Sequence, residues 1–118
     1  MDKDSLNELT LAVRDFADER DWQQFHSPKN LAMALIVEAG ELVEHFQWLT
    51  QEQSLDLEEK KHREVALEMA DVLIYLIRMA DRLDIDLLEA AREKIRINRQ
   101  KYPPEKAAGR ADKYTCYR

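Results

Sequence analysis

Residues 64–83 read EVALEMADVLIYLIRMADRL, and this segment decides the fold. At about 100° per residue, a stripe within roughly 40° of Glu64 contains Glu68, Asp71, Tyr75, Arg78 and Arg82. Every position from 65 to 80 outside this stripe is apolar. The pattern predicts a long α-helix whose surface is apolar over about two thirds of its circumference.

Three further helices are predicted around this segment. Apolar residues at helical spacing indicate a first helix over about 5–20. Ser27 resembles an N-cap with Pro28 at the first helical position, and the helix that follows is expected to continue to about Leu49. A polar connection of variable form then leads into the central helix, which covers about 57–83.

The fourth predicted helix begins where Asp86 and Glu89 resemble a capping box, and it stops at Pro103 and Pro104. Residues 1–104 are therefore expected to form one helical domain, followed by an irregular basic tail over 105–118. Two glycines and three prolines in 118 residues leave little support for tight hairpins. The predicted fold class is all-α, a four-helix bundle.

The width of the apolar surface on the central helix predicts self-association. Three companion helices of one small chain can hardly cover it, so we expect a homo-oligomer, most simply a dimer.

Charge is distributed unevenly along the chain. The net charge is −6, but residues 92–118 carry +6 and the first 91 residues carry −12. An acidic body argues against general nucleic-acid binding, and with a basic C-terminal strip it suits an anionic ligand held through metal ions. The alternative is that the basic helix end only complements the helix dipole. The sequence lacks an apolar membrane span and a signal-peptide pattern, and its single cysteine is Cys116, so a cytoplasmic protein without membrane contact is expected.

Two acid pairs are the candidate metal ligands. Glu38 and Glu41 interrupt a leucine-rich face of the second helix, and Glu68 and Asp71 lie on the polar stripe of the third. Acid pairs at this spacing arise easily by chance, but an unpaired carboxylate on a leucine face requires a cation or strong donors. If the two helices run antiparallel, four carboxylates can converge.

Four carboxylates without histidine or cysteine favour Mg²⁺, with Mn²⁺ as a possible substitute, over zinc or iron. His45 follows Glu41 by four residues, so the Glu-x-x-His motif of di-iron bundles is absent. For the third helix taken alone, a solvated polar stripe is an equal alternative.

Aromatic and cationic residues flank the acid pairs in the sequence. Trp22 and His26 lie in the loop before the second helix, and Trp48 lies near its far end; flat faces of this kind suit stacking on a base, although such residues often fill a core. On the fourth helix, Lys94 and Asn98 share a face with Tyr102 nearby, and they could bind phosphate oxygens.

Long stretches of the sequence resemble one enzyme family. Glu38-x-x-Glu41, a gap of 26 residues and Glu68-x-x-Asp71 are similar to the signature of the MazG-like all-α nucleoside triphosphate pyrophosphohydrolases. The blocks RDWQQFHSPKNLAMALIVEAGELVEHFQW, ADVLIYL, KIRINRQKYP and DKYT resemble the dCTP pyrophosphatase branch of that family.

The resemblance implies a helical bundle assembled as a homodimer or homotetramer, and Mg²⁺-dependent hydrolysis of a nucleoside triphosphate to the monophosphate and pyrophosphate. It implies metal ligation by Glu38, Glu41, Glu68 and Asp71. On chemical grounds, one of these ligands, Glu38 or Glu41, is the candidate to orient or deprotonate the attacking water. It further implies base and sugar contacts by Trp22, His26, Trp48 and Tyr75. Residues near the phosphates would be Lys94, Asn98, Tyr102, Lys113 and Tyr114.

Three functional hypotheses follow from the sequence. The first is a pyrophosphatase for dCTP or a modified dCTP that controls or cleans the nucleotide pool. The second keeps the fold and reaction but changes the base, to dUTP or a broad set of triphosphates. The third is a non-catalytic helical interaction module, which Glu38 on its leucine face argues against.

Overall fold

A computed structural model describes residues 5–117, within which the chain forms helices and no β-strand. The helices are α1 (Leu6–Glu19), α2 (Pro28–Glu44), α3 (Gln51–Leu55), α4 (Glu59–Leu83), α5 (Leu87–Lys101) and α6 (Pro104–Ala107). Single 3-10 turns lie at Gln23–Phe25 and Tyr114–Cys116. The predicted all-α class and the four long helices are confirmed. Within 5–117, no helix combines the length and the apolar character that spanning a bilayer requires.

The helix starts follow from capping residues visible in the sequence. The Ser27 side chain accepts a 3.2 Å hydrogen bond from the Asn30 amide, and Pro28 occupies the first turn of α2. Asp86 accepts a 3.1 Å bond from the Glu89 amide at the start of α5. Each cap satisfies an amide that has no partner within its helix, so both predicted starts are confirmed.

The predicted end of the second helix is wrong by about one turn, because α2 stops at Glu44 and does not continue to about Leu49. The backbone after it tightens to i→i−3 hydrogen bonds, as between the Leu49 amide and the Phe46 carbonyl at 2.9 Å. Thr50 and Gln53 then form a capping box that starts α3 inside the predicted polar connection.

Helix α4 packs against α2 along most of its length and against α1 near its C-terminal end. His26, just before α2, contacts Arg78, whereas His45, just after α2, contacts Lys61. The two helices therefore run antiparallel. Leu31 of α2 and Ile77 of α4 are the largest fully buried side chains among the described residues, each only 1% exposed.

The described residues from Asp86 onward form a second compact unit, the C-terminal unit. The Tyr102 ring at the end of α5 makes edge-on contacts with Tyr114 and Tyr117, with ring centroids 5.9 and 5.8 Å apart. The described part of the predicted tail contains α6 and the second 3-10 turn. The predicted division of the chain at residue 104 stays a prediction.

Candidate metal centre and adjoining pocket

Three of the four predicted carboxylates meet between α2 and α4. Glu38 and Glu41 lie one turn apart on α2, and Glu68 lies opposite them on α4. One oxygen from each carboxylate lies within 4.8 Å of the others. The antiparallel packing produces this meeting because it sets a turn of one helix against a turn of the other.

Asp71 lies beside this group, and the three-residue cluster does not include it. It lines the same cavity as Glu38, and its charge contributes to raising the pKa of Glu38 and of Glu68. Its predicted role as a fourth metal ligand therefore stays a prediction.

The electrostatics of the cluster disfavour full ionisation. Burial, followed by a hydrogen bond with Glu41 and the charges of neighbouring acids, raises the pKa of Glu38 to about 7. Burial also raises the pKa of Glu68, with further contributions from Glu41 and Asp71. Like-charged carboxylates that share a site repel each other, so the cluster is stabilised by a proton or by a cation.

Two buried oxygens show that the cluster suits a cation. The Oε2 atoms of Glu38 and Glu68 are both buried and have no hydrogen-bond partner among the described residues. Buried carboxylate oxygens without donors are costly unless a positive charge meets them. Hard oxygen donors fit Mg²⁺ or Mn²⁺, so the residues present fit the expected metal.

A cavity of about 370 Å³ adjoins the cluster between α1, the following loop and α4. Glu38 and Asp71 line it together with Trp22, His26 and Tyr75, the three predicted base-pocket residues that the structure brings to it. The remaining lining residues come from α1 and α4, and they are Ala12, Val13, Phe16, Ala17, Ile74 and Arg78. An apolar cavity with a few polar groups, next to a carboxylate cluster, is the expected form of a small-molecule site.

Trp22 is held at the cavity by aromatic neighbours. Its ring makes edge-on contacts with Phe16 and His26, with centroids 5.7 and 6.0 Å apart. It keeps 40% of its surface exposed, so part of the ring is available to a ligand.

Sequence reasoning missed one residue of this site, Arg78. Its side chain is 3% exposed, and its Nε atom donates a 3.1 Å hydrogen bond to Nδ1 of His26. The available signal was an arginine on the polar stripe with apolar residues on both sides in sequence, which indicates a buried charge that needs partners.

One predicted base contact, Trp48, is not among the residues that line this cavity. Trp48 follows the end of α2 and is 87% exposed. The remaining five predicted site residues, Lys94, Asn98, Tyr102, Lys113 and Tyr114, belong to the C-terminal unit. Lys94 and Asn98 lie one turn apart on α5 and are exposed, and Tyr102 contacts Tyr114. Their predicted contacts with phosphates stay predictions.

The chain is similar to curated dCTP pyrophosphatases. It is 42% identical over 113 residues to dCTP pyrophosphatase 1 of Mus musculus and to that of Homo sapiens. Each match covers 94% of this chain and 66% of the relative. The chain therefore spans slightly less than two thirds of the length of these relatives.

A solved structure and a family match agree with this similarity. A pyrophosphatase from Archaeoglobus fulgidus superposes with a TM-score of 0.78 at 41% identity, covering 82% of this chain and 91% of that one. Residues 33–115 match the MazG-like family. This match includes both acid pairs and most of the chain. The chain belongs to the MazG-like family.

Proposed function

We propose that this protein is a nucleoside triphosphate pyrophosphohydrolase that converts dCTP, or a modified dCTP, to the monophosphate and pyrophosphate. The observation that carries the proposal is the carboxylate cluster of Glu38, Glu41 and Glu68 beside an aromatic-lined cavity. The names of the curated relatives and of the solved structure support the pyrophosphatase reaction. The names of the curated relatives also support cytosine as the base. The proposed role is sanitation of the nucleotide pool.

Mg²⁺ is the proposed cofactor, and Mn²⁺ is a possible substitute. Glu38, Glu41 and Glu68, joined by Asp71, would hold it, because their oxygens lie together and two of them lack donors. Bound there, the ion would supply positive charge to the triphosphate and lower the pKa of water.

The carboxylates also have a proposed role toward the attacking water. Glu38 or Glu41 orients the water and accepts its proton at a carboxylate oxygen. Glu38 lines the cavity, and Glu41 lies one turn away on α2. The described residues that line this cavity include no serine, threonine or cysteine, so no hydroxyl or thiol nucleophile of these types is proposed.

The cavity is proposed to hold the base and the sugar. Trp22 offers an exposed ring face and Tyr75 faces the same cavity, so a flat heterocycle can be held by stacking. The proposed phosphate contacts come from Lys94, Asn98, Tyr102, Lys113 and Tyr114, whose cationic and hydroxyl groups suit phosphate oxygens. Trp48 is a further proposed base contact.

The proposal includes a homodimer or homotetramer. On α2, Met33, Ile36, Val37 and Val43 share one stripe and are 58%, 70%, 59% and 58% exposed. A contiguous apolar stripe on one helix of a small protein marks an interface. Gly40 lies within this stripe, and a Cβ added there would meet nothing within 4 Å among the residues that the structure describes. A second copy of the chain would cover the stripe.

A nucleotide panel tests the proposed reaction. Purified protein with Mg²⁺ is incubated with dCTP, 5-methyl-dCTP, dUTP, dTTP, dATP and dGTP, and pyrophosphate and monophosphate are quantified. We expect both products in equal amounts, with the largest kcat/KM for a cytosine nucleotide. Preference for another base overturns the substrate assignment alone, whereas no release from any nucleotide overturns the enzyme assignment and favours the interaction module.

A further inference from the structure

Arg78 is a buried cation in the wall of the cavity, and two of its three guanidinium nitrogens have hydrogen-bond partners. Its Nε atom donates to Nδ1 of His26 at 3.1 Å, and its Nη1 atom donates to the Asp81 carboxylate at 3.4 Å. Arg14 of α1 binds the same carboxylate through two hydrogen bonds of 2.9 and 2.6 Å. The guanidinium is therefore fixed between α1, α4 and the loop before α2.

The bond to Arg78 determines where His26 carries its proton. An arginine Nε atom always carries a hydrogen and cannot accept one, so Nδ1 of His26 must offer its lone pair. The proton of the neutral imidazole then lies on Nε2, which is left as a donor. Burial and the charges of Arg78 and Arg82 lower the pKa of His26, in agreement with a neutral ring.

A second donor in this wall lacks an acceptor. The Nη2 atom of Arg78 is buried and has no hydrogen-bond partner among the described residues, although the residue lines the cavity. A buried donor on a charged group is costly to leave unpaired. The acidic residues Glu38 and Asp71 also line the cavity, so it presents both hydrogen-bond donors and acceptors.

We propose that Arg78 is a specificity-determining residue. It holds His26 as the Nε2–H tautomer, so that this wall of the cavity presents donors and selects a base whose edge presents hydrogen-bond acceptors. The inference rests on the proposed function, because it assigns the cavity to a nucleobase. Cytosine presents an unprotonated N3 and the O2 carbonyl side by side, and both accept hydrogen bonds. Uracil and thymine carry a hydrogen on N3, which meets the same donors unfavourably. Arg78 therefore contributes to choosing cytosine over uracil.

The first test observes His26 directly and requires no turnover. Long-range ¹H–¹⁵N spectra of the wild-type protein, recorded without metal between pH 5.5 and 8, show which ring nitrogen is protonated. We expect an unprotonated Nδ1 at neutral pH, because Arg78 occupies it. Protonation of Nδ1 in the wild type at neutral pH overturns the proposal, and this result does not depend on any variant folding.

The second test compares two arginines that both contact His26. Arg78→Met removes the bond to Nδ1, whereas Arg82→Met removes a 3.2 Å bond to the His26 carbonyl and is the matched control. In Arg78→Met, His26 is expected to titrate at higher pH, while in Arg82→Met the Nδ1 atom stays unprotonated near neutral pH. An unchanged His26 titration in a folded Arg78→Met protein overturns the positioning role.

Binding of nucleoside monophosphates tests selectivity without catalysis. Metal-free protein is titrated calorimetrically with dCMP and dUMP, which differ at the base edge alone. The wild type is expected to prefer dCMP, and Arg78→Met is expected to lose about tenfold in dCMP affinity and to approach equal affinity for both. An unchanged preference, or no binding of either nucleotide, overturns the proposal. Because neither metal nor hydrolysis is involved, these outcomes are distinct from failure of the proposed enzyme activity.

Discussion

Glu38 of α2 and Glu68 of α4 bring carboxylate oxygens within 4.8 Å of each other, and each keeps its Oε2 atom buried without a donor among the described residues. Two acids from different helices would not be packed together in this way for stability alone, because their repulsion opposes folding. A cation bound between the two carboxylates would offset this repulsion.

Divalent cations are therefore expected to stabilise the protein. Millimolar Mg²⁺ or Mn²⁺ should raise the melting temperature of the wild type by several degrees, because an ion that binds the folded state alone shifts the unfolding equilibrium. Glu38→Gln should lose most of this increase. Glu44→Gln, an exposed acid on the same helix, should retain it; an equal increase in all three proteins would contradict the assigned ligands.

The contribution of Glu38 to the stability of the metal-free protein should fall as pH rises. The pKa of Glu38 is raised from 4.5 to about 7 by folding, so the folded state favours the protonated carboxyl. Its contribution is fully present below about pH 4.5 and is lost as pH rises through about 7. Glu38→Gln keeps a neutral side chain at every pH.

This pH effect can be measured from melting temperatures in EDTA at pH 5.5 and pH 8. Other groups titrate in the same range, so the informative quantity is the difference between wild type and Glu38→Gln. We expect the variant to lose less stability than the wild type between the two pH values. A variant that loses as much would show that Glu38 does not carry the dependence.

Trp22 should contribute to substrate binding more than to the chemical step. Trp22→Ala removes an exposed ring face in the cavity, and loss of base stacking is worth about 1–3 kcal/mol. We expect KM for the best nucleotide to rise by about tenfold or more with a smaller change in kcat. Trp22→Phe keeps a flat face and should recover part of the loss; wild-type KM in the alanine variant would exclude stacking on Trp22.

Asp81 should be important for stability because it joins two arginines. It binds Arg14 through two short hydrogen bonds and also accepts from buried Arg78. Asp81→Asn leaves the buried guanidinium without its carboxylate, and we expect a loss of about 2 kcal/mol in the free energy of unfolding. Urea denaturation measures it. Asp112→Asn removes a carboxylate from an exposed pair with Arg110 and should change stability less than Asp81→Asn does.

Ile36 should lie in an interface between copies of the chain. A lysine at this position, which is 70% exposed within the apolar stripe of α2, should reduce the molar mass measured by light scattering toward that of a monomer. Glu52→Lys, an exposed substitution on α3, should leave the mass unchanged. A monomeric wild type, or an Ile36→Lys protein of wild-type mass, would remove the support for association through this surface.

Local chemistry made much of this fold predictable from the sequence. Ser27, Pro28 and Asp86 act within a few residues of themselves, so the starts of α2 and α5 follow from the chain alone. The end of α2 was predicted wrongly, because residues 45–49 continue without a proline or glycine, whereas their backbone already forms i→i−3 hydrogen bonds ahead of the capping box at Thr50.

The candidate site was predictable in part for a similar reason. Glu38 stood out because a carboxylate on a leucine face is expensive, and the structure brings it to Glu41 and Glu68. Arg78 was missed because its importance lies in contacts with His26, 52 residues away along the chain, and with Asp81. Spacing along one helix cannot reveal a partner supplied by a distant loop.

The most direct test of the proposed metal-dependent hydrolysis is pyrophosphate release from dCTP by wild type, Glu68→Gln and Glu44→Gln under identical conditions, each with Mg²⁺ and with EDTA. Release is expected from wild type and Glu44→Gln with Mg²⁺, to disappear in EDTA, and to fall by at least about a hundredfold in Glu68→Gln. Release that persists in EDTA, or a Glu68→Gln protein as active as wild type, would contradict catalysis at the carboxylate cluster.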